Sequence, residues 1–169
     1  NTPVTGGNVS LYNDTKLSDN SVVPIHPTPI IGMVGLIEDI NKICKKSWIK
    51  AGDQIWMIGL PLETNINQDK RISLSASSFL EYIHGLKTGR PPEIDLNLER
   101  QVHLFLREII NKSIVNSAHD LGDGGLAIAI AECCISSGYG ANIILPQSES
   151  RLDRLLFAEG GARVLVSCS

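Results

Sequence analysis

The pattern of apolar and polar positions divides the chain into elements before any chemistry is considered. Near the start, Val9, Leu11 and Tyr12 favour a strand. A period of two then puts Asn8, Ser10 and Tyr12 on one face, with Val9 and Leu11 turned toward a core. Asp14 to Val23 is polar and predicts an exposed loop. The prolines between Pro24 and Pro29 force extended backbone, which predicts a hinge between two domains. Ile30 to Ile37 is apolar and β-branched, interrupted by Gly32 and Gly35, and predicts a buried strand. A turn at Ala51-Gly52-Asp53 leads into a strand from Gln54 to Gly59, and Leu60 to Lys70 is an asparagine-rich loop.

The second half is more helical. Ser73 to Gly85 permits a short helix that stops at the glycine, and Gly89-Arg90-Pro91-Pro92 is a loop. Asp95 is a good cap for a helix whose Leu98, Val102, Phe105, Leu106, Ile109 and Ile110 form one apolar stripe. Glu99, Arg100, His103, Arg107 and Glu108 take its outer face. Ile114-Val115 opens a short strand. Asp123 is placed to cap a helix from Gly124 to about Ser136, with Leu126, Ile130, Ala131 and Cys134 inward. Asn142 to Leu145 predicts a strand, and Ser150 to Phe157 a short helix with Leu152, Leu155 and Leu156 inward. Arg163 to Ser167 is the last strand.

Composition narrows the class. With 169 residues the chain holds one domain and a short extra piece. A fold of this size buries roughly 70% of its unfolded surface, so a true core is available. Only 5% of residues are aromatic, which makes that core aliphatic. A net charge of −3 gives no electrostatic case for nucleic acid or an anionic membrane. No apolar run approaches a membrane span and no signal peptide is visible, so a cytoplasmic protein is expected. Cys44, Cys133, Cys134 and Cys168 form no Cys-x-x-Cys pair and are expected as reduced thiols. The lysines at 42, 45, 46 and 50 are too few for a nucleic-acid footprint and predict a solvated face. His26, in the proline-rich loop, and His103, on the outer helix face, are expected as ordinary surface histidines.

Two strings carry candidate chemistry. The first is Thr5-Gly6-Gly7-Asn8-Val9-Ser10-Leu11-Tyr12-Asn13. Adjacent glycines let the backbone approach a ligand and expose N–H groups, while an amide oxygen and a hydroxyl follow on one strand face. That set suits a phosphorylated ligand and a hard cation, although Gly-Gly-Asn is also an ordinary turn and no Gly-Lys-Ser/Thr follows to make a Walker loop. The second is Ser117-Ala118-His119-Asp120-Leu121-Gly122-Asp123-Gly124-Gly125-Leu126-Ala127. It builds a strand-to-helix turn whose helix N-terminus suits an anion, and its acidic spacing excludes an EF-hand. His119, Asp120 and Asp123 are expected to be mainly structural, with site lining as the other reading.

Both strings, in this order, resemble those of phosphoribosylformylglycinamidine synthase. That family carries Thr-Gly-Gly-Asn-Val-Ser-Leu-Tyr-Asn-Glu and Ala-His-Asp-Val/Leu-Ser-Asp-Gly-Gly-Leu. Gly122 stands where relatives usually have serine. Leu74-Ser75-Ala76-Ser77-Ser78-Phe79 departs from the Leu-Gly-Gly-Ser-Glu-Tyr of many relatives, so no role is assigned there. The resemblance implies an α+β fold, a mixed sheet packed with helices, like the C-terminal domain of aminoimidazole ribonucleotide synthetase. Residues 1–34 would be the tail of a preceding ATP-binding-type domain. Residues 35–169 would be the final domain, incomplete at its C-terminus.

The implied reaction joins formylglycinamide ribonucleotide, ATP and glutamine-derived ammonia into formylglycinamidine ribonucleotide, in purine biosynthesis. ATP activates the amide oxygen as an iminophosphate and ammonia displaces phosphate. By motif position Gly7 would contact ATP, Asn8 would ligate Mg²⁺ and Ser10 would bind the ribonucleotide. The family's catalytic histidine belongs to its N-terminal half, so these residues supply one wall of a site, and the chain alone is expected to be inactive. That half, a glutaminase subunit and a small bridging subunit are the implied partners. A synthetase such as aminoimidazole ribonucleotide synthetase, or a non-catalytic interaction domain of that fold, are the alternatives.

Overall fold

The structure, a computed structural model, describes residues 2–26, 28–62, 69–147 and 150–169. It divides into two compact units, residues 1–38 and 39–169.

In the first unit the paired backbone forms one antiparallel hairpin, β1 (Asp14–Lys16) with β2 (Val22–Pro24). The polar stretch expected as a loop is therefore a hairpin. Its turn is set locally: Asn20 adopts a positive φ of 66°, and Asp19 accepts from both the backbone N–H and the hydroxyl of Ser21. The strands predicted over Val9–Tyr12 and Ile30–Ile37 do not form, and their side chains are not buried. Leu11 is 96% and Val34 98% exposed. A strand is held by a ladder, and among the described residues no segment pairs with either stretch.

The second unit is built on a three-stranded sheet of β3 (Gln54–Gly59), β4 (Ser117–Asp120) and β5 (Arg163–Cys168). The order is β3-β5-β4, with both ladders antiparallel. A single parallel bridge, Lys45 to Ser117, adds the opposite sense, so the α+β class with a mixed sheet is what forms. Helix α2 (Leu96–Asn111) covers one face, placing Val102, Leu98 and Leu106 against Val164, Val166, Ile58 and Ala118. Helix α3 (Gly125–Ser137) covers the other, with Leu126, Ala129 and Ile130 on Leu165, Ile55 and Met57. The remaining helices, α1 (Ser78–His84) and α4 (Leu152–Phe157), meet through Phe79 stacked on Phe157 at 4.9 Å between ring centroids.

Local signals account for much of this. Asp95 accepts from the N–H groups of Asn97 and Leu98, as expected of the cap of α2. Ser77 caps α1 and Gly85 ends it in the left-handed conformation, although the helix begins at Ser78 and not Ser73. Five details differ from expectation. Phe105 is half-exposed because it lies at the margin of the α2 stripe. On α3 the inward positions are Ala129 and Cys133, beside Leu126 and Ile130, and not Ala131 and Cys134. Leu152 is exposed, since only Leu155 of the short α4 reaches the core. Ile114-Val115 precedes β4 without pairing, and Asn142–Leu145 forms no strand. Residues 63–68 of the predicted asparagine-rich loop lie outside the described residues. The four cysteines are free thiols.

Candidate functional site

The two strings fall in different units. In the first unit Gly7, Asn8 and Ser10 are exposed, and a side-chain carbon added at Gly6 or Gly7 would meet nothing within 4 Å. Because no strand forms, pleating does not bring Asn8 and Ser10 to one face. The donor chemistry still suits a hard cation, but a magnesium shell needs six oxygens and Asn8 offers one amide oxygen. Among the described residues no cluster of three His, Cys, Asp or Glu side chains could hold a metal. Asn8 therefore fits as a single contributor to a shell completed by other groups.

In the second unit the motif is a strand, a turn and a helix start. His119 on β4 is largely buried, with Nε2 2.8 Å from Glu132 Oε2 on α3 and Nδ1 3.2 Å from Asp120 Oδ1. Lys46 Nζ lies 3.1 Å from the same Glu132 oxygen. The His119 hydrogen bond, then Lys46, hold the Glu132 carboxyl below the usual glutamate range. The structure thus joins His119 and Asp120, and adds Glu132, which the sequence had not singled out, and Lys46, which it had placed only on a solvated face. The imidazole ties strand to helix, consistent with the structural reading. Asp123 stays exposed.

Asp123 does not cap α3, contrary to expectation. The cap residue is Gly124, at a φ of 75°. Side-chain carbons at Gly124 and Gly125 would come within 2.3 Å of Ile128 and 2.6 Å of the Ala158 carbonyl oxygen, so both positions require glycine. With an aspartate turn excluded, the helix start is closed from a distance. Glu159 Oε1 accepts from Gly124 N–H at 2.8 Å and from Ser78 N–H of α1 at 2.8 Å. One carboxylate thus closes two helix N-termini, and its charge complements both dipoles. The N-terminus that suits an anion is already occupied by the protein's own.

Arg163 stands behind this clamp. It is buried, and its Nη2 donates to the Ala158 carbonyl at 2.7 Å. Burial pulls its pKa down to about 10, while the Glu159 charge acts in the opposite sense. Glu159 was not picked out from the sequence. Its only local cue is an acidic residue before Gly160-Gly161, and both its helix partners are remote in the chain.

The profile of the AIR synthase related protein, C-terminal domain, matches residues 50–169, nearly the whole second unit. The chain belongs to the AIR synthase related proteins. The match includes β3, α2, the His119 motif and the Glu159 clamp. Similarity to curated relatives extends over both units. The chain is 89% identical over 168 residues to phosphoribosylformylglycinamidine synthase subunit PurL of Prochlorococcus marinus strain NATL1A, covering 99% of this chain and 21% of that protein. It is 51% identical over 166 residues to the subunit of the same name from Synechococcus sp. strain WH7803, again 21% of that protein. The chain therefore spans about a fifth of the length of these relatives. Among solved structures, Thermotoga maritima PurL complexed with FGAR superposes with a TM-score of 0.57 at 18% identity, over 77% of this chain and 22% of that one. The structure of PurLQS from the same organism superposes at 0.51 and 15% identity, over 77% of this chain and 20% of that one. These likenesses establish the fold.

Proposed function

We propose that this chain is part of a phosphoribosylformylglycinamidine synthase, an ATP-dependent ligase that forms a C–N bond with glutamine-derived ammonia. The observation that carries this reading is sequence identity sustained over 98–99% of the chain, at 51% and 89%, to subunits bearing that name. Residues 1–34 would close an ATP-binding-type domain and residues 35–169 would form the domain after it. The protein would work in the cytoplasm with a glutaminase subunit and a small bridging subunit; among the described residues no helix is long and apolar enough to cross a membrane.

In this reading the opening segment supplies one wall of the site. The Gly7 N–H would donate to an ATP phosphate oxygen, the Asn8 amide oxygen would help to hold Mg²⁺, and the Ser10 hydroxyl would donate to the ribonucleotide. The bound cation would offset phosphate charge. The exposure of all three residues leaves them free to meet groups supplied by other parts of a longer protein. His119, Asp120 and Asp123 either line a site or are structural, and the contacts of His119 with Asp120 and Glu132 favour the structural role.

Steady-state kinetics of the full-length synthase carrying this chain test the assignment. Ser10→Ala should raise the apparent KM for formylglycinamide ribonucleotide more than that for ATP, by about 1–2 kcal/mol of lost binding. Asn8→Leu should weaken metal-dependent ATP use without unfolding the protein. Wild-type kinetics for both variants at limiting Mg²⁺ and substrate would remove the opening segment from the site. Absence of synthase activity in the wild-type enzyme would remove the function.

A further inference from the structure

The segment Leu74–Phe79, which drew no role from the sequence, borders a cavity in the second unit. Its volume is about 300 Å³, at the small end of the range for small-molecule sites. Ser73 and Ser75 line it together with Arg90 and Arg154, and a further hollow of about 200 Å³ shares three of these four residues. The walls are fixed by backbone. Ala76 N–H donates to the Thr88 carbonyl and Glu93 N–H to the Lys70 carbonyl, each at 2.9 Å. The loop carrying Arg90 is thus tied at both ends to the segment carrying the serines. Gly89, at a φ of 97°, lets that loop pass close against Ser75, where a side-chain carbon would come within 1.8 Å of the hydroxyl oxygen. Ser73 in turn exchanges two backbone hydrogen bonds of 2.9 Å with Glu159. The cavity is therefore preorganised.

Its lining has more donors than acceptors. Asp69 engages Arg71 through both carboxylate oxygens, at 2.9 and 2.8 Å, and Glu93 lies 3.7 Å from Lys70. Both lining carboxylates thus have cations of their own. The Ser73 hydroxyl accepts from Ser75 N–H at 2.9 Å but, among the described residues, donates to nothing. Among the same residues neither Ser75 Oγ nor the Arg90 guanidinium has a hydrogen bond or ion pair. We propose that this cavity is an oxyanion site that takes the phosphate group of a small phosphorylated molecule. Two hydroxyl protons and a guanidinium fork reach it from separate segments, which suits a tetrahedral anion with several acceptor oxygens. A planar carboxylate would be met by the guanidinium alone. Arg90 supplies charge, the serines supply neutral donors, and Arg154 on α4 adds a second cation. The volume exceeds that of a lone phosphate and leaves room for a small organic group. The cavity belongs to the second unit, and its assignment stands without that of Gly7, Asn8 and Ser10.

Titration of the 169-residue chain with inorganic phosphate and with glycerol 3-phosphate, at constant ionic strength, tests the site through backbone-amide and arginine side-chain NMR shifts. Glycerol 3-phosphate should give saturable shifts at Ser73, Ser75 and Arg90, with an apparent Kd in about the millimolar range. Inorganic phosphate should give the same shifts several-fold more weakly, and acetate should bind at least about tenfold more weakly than glycerol 3-phosphate. Arg90→Gln, at an exposed side chain, should weaken glycerol 3-phosphate binding at least about tenfold, and Ser75→Ala roughly threefold to tenfold. Arg107→Gln, at an exposed arginine of α2, should leave binding unchanged. Shifts that never saturate, indifference to Arg90→Gln, or equal weakening by Arg107→Gln would overturn the site, since general electrostatics would then account for the signal. Acetate binding as tightly, or inorganic phosphate binding more tightly than glycerol 3-phosphate, would overturn the ligand.

Discussion

The two units make opposite use of the same kind of sequence. Ile30–Ile37 in the first is as apolar and β-branched as Arg163–Cys168 in the second. Yet Val34 is 98% exposed, whereas Val164, Leu165 and Val166 are buried. The difference lies in partners. β5 has a strand on each side and a helix on each face, while no described strand pairs with Ile30–Ile37. Strand propensity describes how well a segment fits a pleated, half-buried surface, and it cannot supply that surface.

The largest effect should come from the Glu159 clamp, which has no counterpart in the first unit. Glu159→Ala strips the acceptor from two helix-terminal N–H groups and should cost about 2–4 kcal/mol of stability in urea unfolding. Glu159→Gln keeps a neutral acceptor and should cost about half as much. Equal, negligible losses would mean that the helix starts do not depend on it. Next comes a matched pair. Val102→Ala opens space between α2 and the sheet and should cost about 2 kcal/mol, whereas Val34→Ala, on exposed backbone, should change stability by less than about 0.5 kcal/mol. A comparable cost at both sites would break the comparison.

Ala76 tests backbone strain in the well-packed unit. Its φ of 54° lies in the left-handed region, where a side chain is disfavoured by roughly 1–2 kcal/mol, partly offset by the entropy that glycine loses on folding. Ala76→Gly should therefore raise thermal stability by about 0.5 kcal/mol.

The smallest effect is electrostatic. The folded-state pKa of Glu132 is depressed by His119 and Lys46, so its contribution is full above the unfolded-state value. The contribution falls away as pH drops from about 4.3, the ordinary glutamate value, through the folded value. Urea midpoints of the wild type and Glu132→Gln should converge over that window. Asp19 in the first unit is also depressed, but by hydrogen bonds from Ser21 two residues away. Asp19→Asn should leave the unfolding of the second unit unaltered.

Elements with short-range causes were legible in the chain. The Asp95 cap, the α2 stripe, the Gly85 stop and the strands at 54–59 and 163–168 each follow from residues within a turn or a pleat. What escaped was set across distance. The Glu159 clamp joins residues 81 and 35 positions away, and no local pattern announces it. Asp123 was a plausible cap by type, but the chain takes a left-handed turn at Gly124 and leaves it in solvent. The opening string was legible as chemistry through Gly7, Asn8 and Ser10. Its conformation was not, because pairing depends on residues elsewhere.

The order β3-β5-β4 sets a timetable for a ribosome. The strand at the centre of the sheet is the last of the three in the chain, and β3 and β4 share no ladder. Until residues 163–168 have emerged from the exit tunnel, the two outer strands have nothing to add onto. Helices α2 and α3 likewise lack the floor on which they pack. From their own synthesis until residue 168 has emerged, Ile55, Met57, Val102 and Leu126 lack their final neighbours, a period in which exposed apolar side chains invite association. Closure then depends on contacts spanning more than a hundred residues, which slows folding relative to a sheet of successive hairpins. For this domain, a pause in translation before residue 163 prolongs exposure, and only release of the final strand ends it.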